Sequence, residues 1–233
     1  MARWITYKGK HLLVDDDGSV INNRYDDSNF KYLPEDELRA YDKYVEMADE
    51  SYNNVSKEDR DIINQRYVKT EDSYDFNEDL RNDIIKDKEL VSALDRATKS
   101  YVAKEDMAST RFIDMNFLRK NYNMNIPEYG DVDRKIVALE MKKNIGKELD
   151  LKGYTSVSLN ESGNGMFGNL AVKMRINIPK GETMYIPDNL GEYEAILKRN
   201  TKVKLKRVDF QESKIQGFEN EYGKILLTYE VEE

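Results

Sequence analysis

The chain has no cysteine and a single histidine, His11, among its 233 residues. The missing cysteine excludes disulfide frameworks, cysteine nucleophiles, thiolate zinc sites and iron–sulfur clusters. A Ser–His–Asp triad would have only His11 to use, which argues against hydrolases of that type. No segment approaches the roughly 18 consecutive apolar residues of a membrane span. The opening MARWITYKGKHLLVDDDG lacks the charged, apolar and small-residue zones of a signal peptide. These absences predict no membrane partner and a cytoplasmic origin, with a delivered effector or a virion-associated protein as the other settings.

Positive charge is also short. With 37 Lys and Arg against 45 Asp and Glu, the formal charge is 37 − 45 = −8, so nucleic acid is not an expected partner. One basic run stands against that trend: Lys198, Arg199, Lys202, Lys204, Lys206 and Arg207. It reads as a solvated strand face offsetting the acidic remainder, ahead of a nucleic-acid site. The hydrophobic fraction of 39% suffices for a core at this length, and 10% aromatic residues separate the chain from disordered ones. An enzyme with this composition works with carboxylates, arginines, hydroxyls or a borrowed cofactor.

Length and pattern indicate one domain, residues 31–233, preceded by a short strand arm, residues 1–30. In the arm, WITY and HLLV read as strands broken at Lys8-Gly9-Lys10 and at the Asp15–Gly18 turn. The polar stretch 22–29 reads as a linker. Pro34 followed by Glu35, Asp36 and Glu37 starts a helix, because proline surrenders no needed N–H and acids suit the positive helix end. Leu38, Tyr41, Val45, Ala48 and Tyr52 then recur at helical spacing. Ser56-Lys-Glu-Asp59 resembles a capping box and opens a second helix toward Tyr67. Further helices are expected over 76–84, from Lys88 through Tyr101, and over 132–144, with Gly146 past the end of the last. From Tyr154 the period changes to two: YTSVSL, LAVKMRINI, EYEAIL, KVKLKRV and KILLTYEV read as strands. Helices first and strands later point to an α+β fold.

Several residues carry possible chemistry. In Glu192-Tyr193-Glu194, strand alternation would put both carboxylates on one face, able to divide acid and base roles or to hold a sugar hydroxyl and a cation. The Glu-x-Glu spacing also occurs at 35–37, 219–221 and 230–232, so only its setting distinguishes this copy. Tyr154, Ser156 and Ser158 share a strand face that can hold a ligand or a neighbouring carboxylate, or simply face solvent. Gly163, Gly165 and Gly168 surround Phe167 in a loop that either closes over a flat ring or merely connects two strands. Arg111 suits a pyrophosphate through bidentate charge-assisted bonds, but it also suits an ordinary surface.

Taken in order, these pieces resemble a known family. An arginine on a strand after a long helix precedes aromatic–Thr–Ser–x–Ser, Phe-Gly-Asn, Pro-Lys-Gly and Gly-Glu-x-Glu. This series resembles the mono-ADP-ribosyltransferases of the arginine–serine–glutamate class, notably binary-toxin enzymatic components and related domains of phage head-morphogenesis proteins. The resemblance runs from about Leu33 to Asp209. Tyr67, Tyr74, Asn77 and Leu80-Arg81 are similar to that family's helical lead-in, and LDRATKSYVAKED to its helix before the arginine strand. It implies an ADP-ribosyltransferase-like fold, a helical first half packed beside two facing, mostly antiparallel sheets, and NAD as ADP-ribose donor with no metal required. It further implies transfer to a protein acceptor, arginine in particular, since glutamate at position 192 accompanies that acceptor in the family.

By the same resemblance, Arg111 anchors the NAD phosphates, while Ser156 and Ser158 order the site and hold the catalytic glutamate. Phe167 stacks near the nicotinamide, and Tyr67, Tyr74 and Arg81 line the pocket from the helical side. Glu194 stabilises the oxocarbenium-like transition state and Glu192 guides the acceptor. Val157, Leu170 and Phe112 depart from the family's threonine, phosphate-binding arginine, and glycine or second arginine, respectively. The tyrosine-rich lead-in carries a two-residue insertion. Two other roles use the same fold: a phage-associated structural protein with a degenerate site, and an NAD glycohydrolase.

Overall fold

The computed structural model describes residues 2–7, 10–23, 34–68, 73–127, 132–160, 170–187, 193–214, 219 and 222–232. The linker expected at 22–29 lies outside them apart from the backbone of its first two residues. The fold is α+β, with six α-helices among the described residues and two mostly antiparallel sheets.

The small sheet joins β1 (Arg3–Tyr7), β2 (Lys10–Val14) and β3 (Val20–Asn23). Its third strand was not foreseen. Ile5, Tyr7, Leu12 and Val14 are buried in one cluster with Tyr41 and Tyr44 of α1 (Glu35–Asn53). Arg3 reinforces that contact, 3.0 Å from the Asp42 carboxylate and 5.1 Å from the Tyr41 ring centre. The α1 helix begins after Pro34 with the three acids in its first turn. Its buried stripe is Tyr41, Tyr44, Met47, Ala48 and Ser51; Tyr52 turns outward and carries the Arg60 guanidinium over its ring at 3.8 Å.

The helical half continues with α2 (Lys57–Ile63), whose Ser56 cap accepts the Asp59 N–H at 3.1 Å. A π-helical turn, Asn64–Val68, follows directly and carries Tyr67; such turns widen the helix and re-aim a side chain. Next come α3 (Ser73–Arg81) and α4 (Lys88–Ala97), the latter capped by Asp87 through the Leu90 N–H. The short α5 (Asn116–Tyr122) was not foreseen, whereas α6 (Arg134–Met141) with its 3-10 extension through Asn144 matches the expected span. Gly146 beyond it has φ +92°, a conformation that favours glycine.

The large sheet contains β4 (Tyr101–Val102), β5 (Met107–Ile113), β6 (Glu148–Leu151), β7 (Thr155–Ser158), β8 (Val172–Ile178), β9 (Thr183–Tyr185), β10 (Glu194–Leu197), β11 (Thr201–Gln211) and β12 (Lys224–Val231). Its order is β4-β9-β10-β7-β5-β8-β12-β11-β6, and only β8 and β12 run parallel. In the middle, β5 meets β7 through the pair Thr110 and Ser158, so a four-strand and a five-strand portion join at a narrow seam. One apolar cluster spans both portions and the small sheet, with α1, α5 and α6 packed into it. A second packs α2, α3 and α4 against Tyr154, Tyr185 and Ile196. The seam brings strands of distant sequence origin together beside the helical half.

Candidate active site

At the seam, Arg111 on β5 faces β7. Its guanidinium donates to the Ser156 main-chain carbonyl at 2.7 Å. Ser156 in turn donates its hydroxyl to Glu194 Oε1 at 2.6 Å, a length expected for O–H to carboxylate bonds. The register explains why these groups meet. Glu194 lies opposite Ser158, and Ile196 opposite Ser156, so the even-numbered residues of both strands share a face and the serine reaches its glutamate diagonally. Val157 on the other face is buried in the main core.

The main chain around Glu194 is held separately. The Tyr44 hydroxyl lies 2.9 Å from the Glu194 carbonyl and 2.8 Å from the Pro187 carbonyl. Tyr193 stands just before the strand with φ +52° and is buried against the Tyr44 ring at 5.3 Å. The strand pattern assumes extended backbone through Tyr193; β10 instead begins at Glu194, and Tyr193 before it is left-handed. Glu192 itself lies outside the described residues, as does Phe167.

Ser158 is buried, and its hydroxyl donates to the Asn160 carbonyl at 2.6 Å while accepting the Asn160 N–H at 3.3 Å. It thus shapes the chain leaving β7, whereas Ser156 contacts the glutamate. From the helical side, the buried Tyr67 hydroxyl accepts from Asn77 Nδ2 at 3.0 Å. Burial pushes the Tyr67 hydroxyl up to about 12, the Asn77 bond pulls the other way, and the charges of Glu194, Arg111 and Arg81 all act on it. Tyr67 is therefore within electrostatic reach of the arginine and the glutamate, and Arg81 lies on the same side. Tyr74 belongs to α3, with its side chain outside the described residues.

Gly153 makes this approach possible. A Cβ there would lie 2.9 Å from Asn77 Oδ1 and 3.2 Å from the Asn77 carbonyl, so α3 could not come this close to the start of β7. Tyr44 and Asn77 complete the surroundings. Asn77 belongs to the lead-in that carries the resemblance, without a role of its own there, and Tyr44 lies outside the helical stripe read from the sequence, Leu38, Tyr41, Val45, Ala48 and Tyr52.

The basic run behaves differently. Lys198 pairs with Glu182 at 2.7 Å, Arg199 with Asp95 at 2.8 Å, Lys206 with Glu230 at 2.8 Å and Arg207 with Asp209 at 2.5 Å. Lys204 stands 3.5 Å from Glu148. Among the described residues, no group of three or more His, Cys, Asp or Glu is placed to hold a metal ion. Among those residues, too, no helix is long and apolar enough to cross a membrane.

Fold and site together define a class. The chain belongs to the ADP-ribosyltransferase exoenzyme family, whose model matches residues 37–231. It is similar in fold to Plx2a, an ADP-ribosyltransferase toxin from Paenibacillus larvae, at 20% identity and TM-score 0.69, covering 85% of this chain and 97% of that one. BECa, an ADP-ribosylating toxin of a binary enterotoxin of C. perfringens solved with NADH, gives 16% identity and TM-score 0.67 over 84% of this chain and 48% of that one. C3stau2 from S. aureus, solved with NAD, gives 17% identity and TM-score 0.64 over 88% and 98%. Among curated proteins, none matches the chain.

Proposed function

We propose that this protein is an NAD-dependent mono-ADP-ribosyltransferase that transfers ADP-ribose to an arginine of a protein acceptor. The observation that carries the reading is the 2.6 Å bond from Ser156 to Glu194, with Arg111 on the Ser156 carbonyl. NAD as donor is supported by family membership and by the NAD and NADH in the two related structures.

The chemistry suits the groups available. A guanidinium carries five donors in a planar fork, so Arg111 can hold the donor pyrophosphate while keeping its bond to β7. A carboxylate offers about four acceptor sites, so Glu194 can take a ribose hydroxyl as well as the Ser156 proton. The C1′–N1 glycosidic bond breaks with its electron pair passing to the nicotinamide nitrogen. The positive charge left on the ribose is stabilised by Glu194, fixed in advance by Ser156 and Tyr44. An acceptor guanidinium nitrogen forms the new bond at C1′, and Glu192 takes the proton it releases. Nicotinamide leaves as a neutral base and needs no acid, in keeping with a chain that has one histidine. Phe167 and Tyr74 complete the pocket, and Ser158 supports it from the turn. The family match begins at residue 37, which supports treating residues 1–30 as an arm. The toxins among the structural neighbours support a delivered effector.

The test is incubation with labelled NAD and an arginine-containing peptide. Nicotinamide release and peptide labelling are expected, and both should vanish in Glu194→Gln. Labelling of a different side chain would overturn the arginine assignment. Glu192→Gln should lose labelling and retain NAD hydrolysis; unchanged labelling would remove Glu192 from the acceptor step. Hydrolysis without transfer by the wild-type chain would favour a glycohydrolase.

A further inference from the structure

On the far side of the Ser156–Glu194 pair, one carboxylate grips both strands. Asp95, on α4, accepts the Tyr154 hydroxyl on Oδ1 at 2.6 Å. It also accepts both arms of the Arg199 guanidinium, Nε on Oδ1 at 2.9 Å and Nη2 on Oδ2 at 2.8 Å. Tyr154 immediately precedes β7, and Arg199 follows β10 by two residues. The two strands run antiparallel, with Leu197 opposite Thr155 and Ile196 opposite Ser156. Tyr154 and Arg199 therefore mark the same end of this two-strand ladder, and Glu194 and Ser158 mark the other.

We propose that Asp95 is a positioning residue: by tying Tyr154 and Arg199 to one point on α4, it fixes the β7–β10 register and so the approach of Ser156 to Glu194. This rests on the transferase reading given above.

Each arm of the clamp is itself constrained. Tyr154 is buried, stacked on Phe76 at 6.2 Å with an interplanar angle of 3°, and its hydroxyl oxygen also lies 3.0 Å from the Val91 carbonyl. Burial works against the Asp95 charge, but the Arg199 fork and the Tyr154 hydroxyl outweigh it and hold the carboxyl below the usual range. Just past Arg199, the turn is set by Asn200 with φ +61°, whose N–H donates to the Leu151 carbonyl at 2.8 Å. A four-residue strand has few ladder bonds of its own, and a one-residue slip would send every side chain to the opposite face. For β10 such a slip would turn Glu194 toward the main core and away from Ser156. A planar, bidentate pair resists slippage better than a flexible point charge.

The same helix supplies a control. Arg96 on α4 makes a comparable fork with the buried Asp59, at 2.9 and 2.5 Å, and the bonds of that fork join α4 to α2 and not to β7 or β10. The experiment compares Asp95→Ala with Asp59→Ala well below their melting temperatures. It records kcat and KM for nicotinamide release from NAD, and amide hydrogen exchange across residues 195–197.

Asp95→Ala is expected to lower kcat at least tenfold, to change KM for NAD less than threefold, and to speed exchange in β10 at least tenfold. Asp59→Ala should lower the melting temperature without these effects. Arg199→Lys should fall between wild type and Asp95→Ala in both readouts, because it keeps the charge and loses the fork. Equal exchange and equal kcat in the Asp95 and Asp59 variants would overturn the proposal. If wild type releases no nicotinamide, the transferase reading falls, and the catalytic part of this proposal with it. The exchange comparison still decides whether Asp95 holds the register.

Discussion

Strands β10 and β11 follow one another in the chain, and both carry charge, yet they use it in opposite ways. On β11, Lys204, Lys206 and Arg207 reach carboxylates at the protein surface, with Arg207 72% exposed on its side chain. Exposed pairs of this kind contribute about 0–1 kcal/mol each, because water screens them and ordering long side chains costs entropy. On β10 there is one charge, Glu194, and it meets a serine 38 residues away whose own carbonyl takes the Arg111 guanidinium. Charge density along a strand is thus a poor guide to a site. Convergence of opposite polar groups from separate segments is the better one, because the fold must forgo solvation to bring them together.

The sharpest way to break this contrast is Glu194→Gln. Turnover of NAD should drop by about 10²- to 10³-fold or more, the scale for losing a preorganised group at a developing charge. Steady-state nicotinamide release checks it; an unchanged rate would reduce Glu194 to the standing of the β11 charges.

A second test uses alkali on the helical side of the site. Tyr67 is pushed up from 10.0 to about 12 by burial, so the folded chain keeps a proton that the unfolded chain loses. Its contribution is complete below pH 10 and is lost as pH rises through about 12, amounting to roughly 3 kcal/mol. Denaturant unfolding at pH 9 and above pH 11 measures the loss, and Tyr67→Phe should remove that share of it.

Gly153→Ala probes the close approach of α3 to β7. The added methyl meets Asn77 at 2.9 Å, which should destabilise by about 1–3 kcal/mol and raise KM for NAD as Tyr67 shifts. A melting temperature and KM equal to wild type would show that the seam tolerates looser packing. The smallest effect belongs to β11. Lys206→Ala should change stability by less than about 1 kcal/mol and leave turnover unaltered. A large fall in turnover would mean that the basic run takes part in function after all.

Much of the fold was legible because its signals are local. The Ser56 cap, the acid-rich start after Pro34 and the glycine past the α6 region each act within a turn of backbone. Strands β4, β6 and β9 were missed; they have two to four residues each and owe their existence to the neighbours they pair with. At the site, Arg111, Ser156 and Glu194 were readable as an ordered set. The start of β10 was not, since a left-handed Tyr193 packed against Tyr44 stands where the strand pattern assumes extended backbone. The Asp95 clamp was also invisible, because an aspartate within a helix reads as solvated until its partners are known.

By itself, then, the sequence determined which chemistries this protein forgoes, where most of its helices and longer strands lie, and in what order the polar residues follow. Periodicity, capping and composition depend on neighbours a few residues apart, so they survive in a linear reading. Only the tertiary structure decided which glutamate meets a serine held by an arginine, and which charges spread over the surface. That choice is made by strand register and helix docking across tens of residues, where a shift of one position reverses every face.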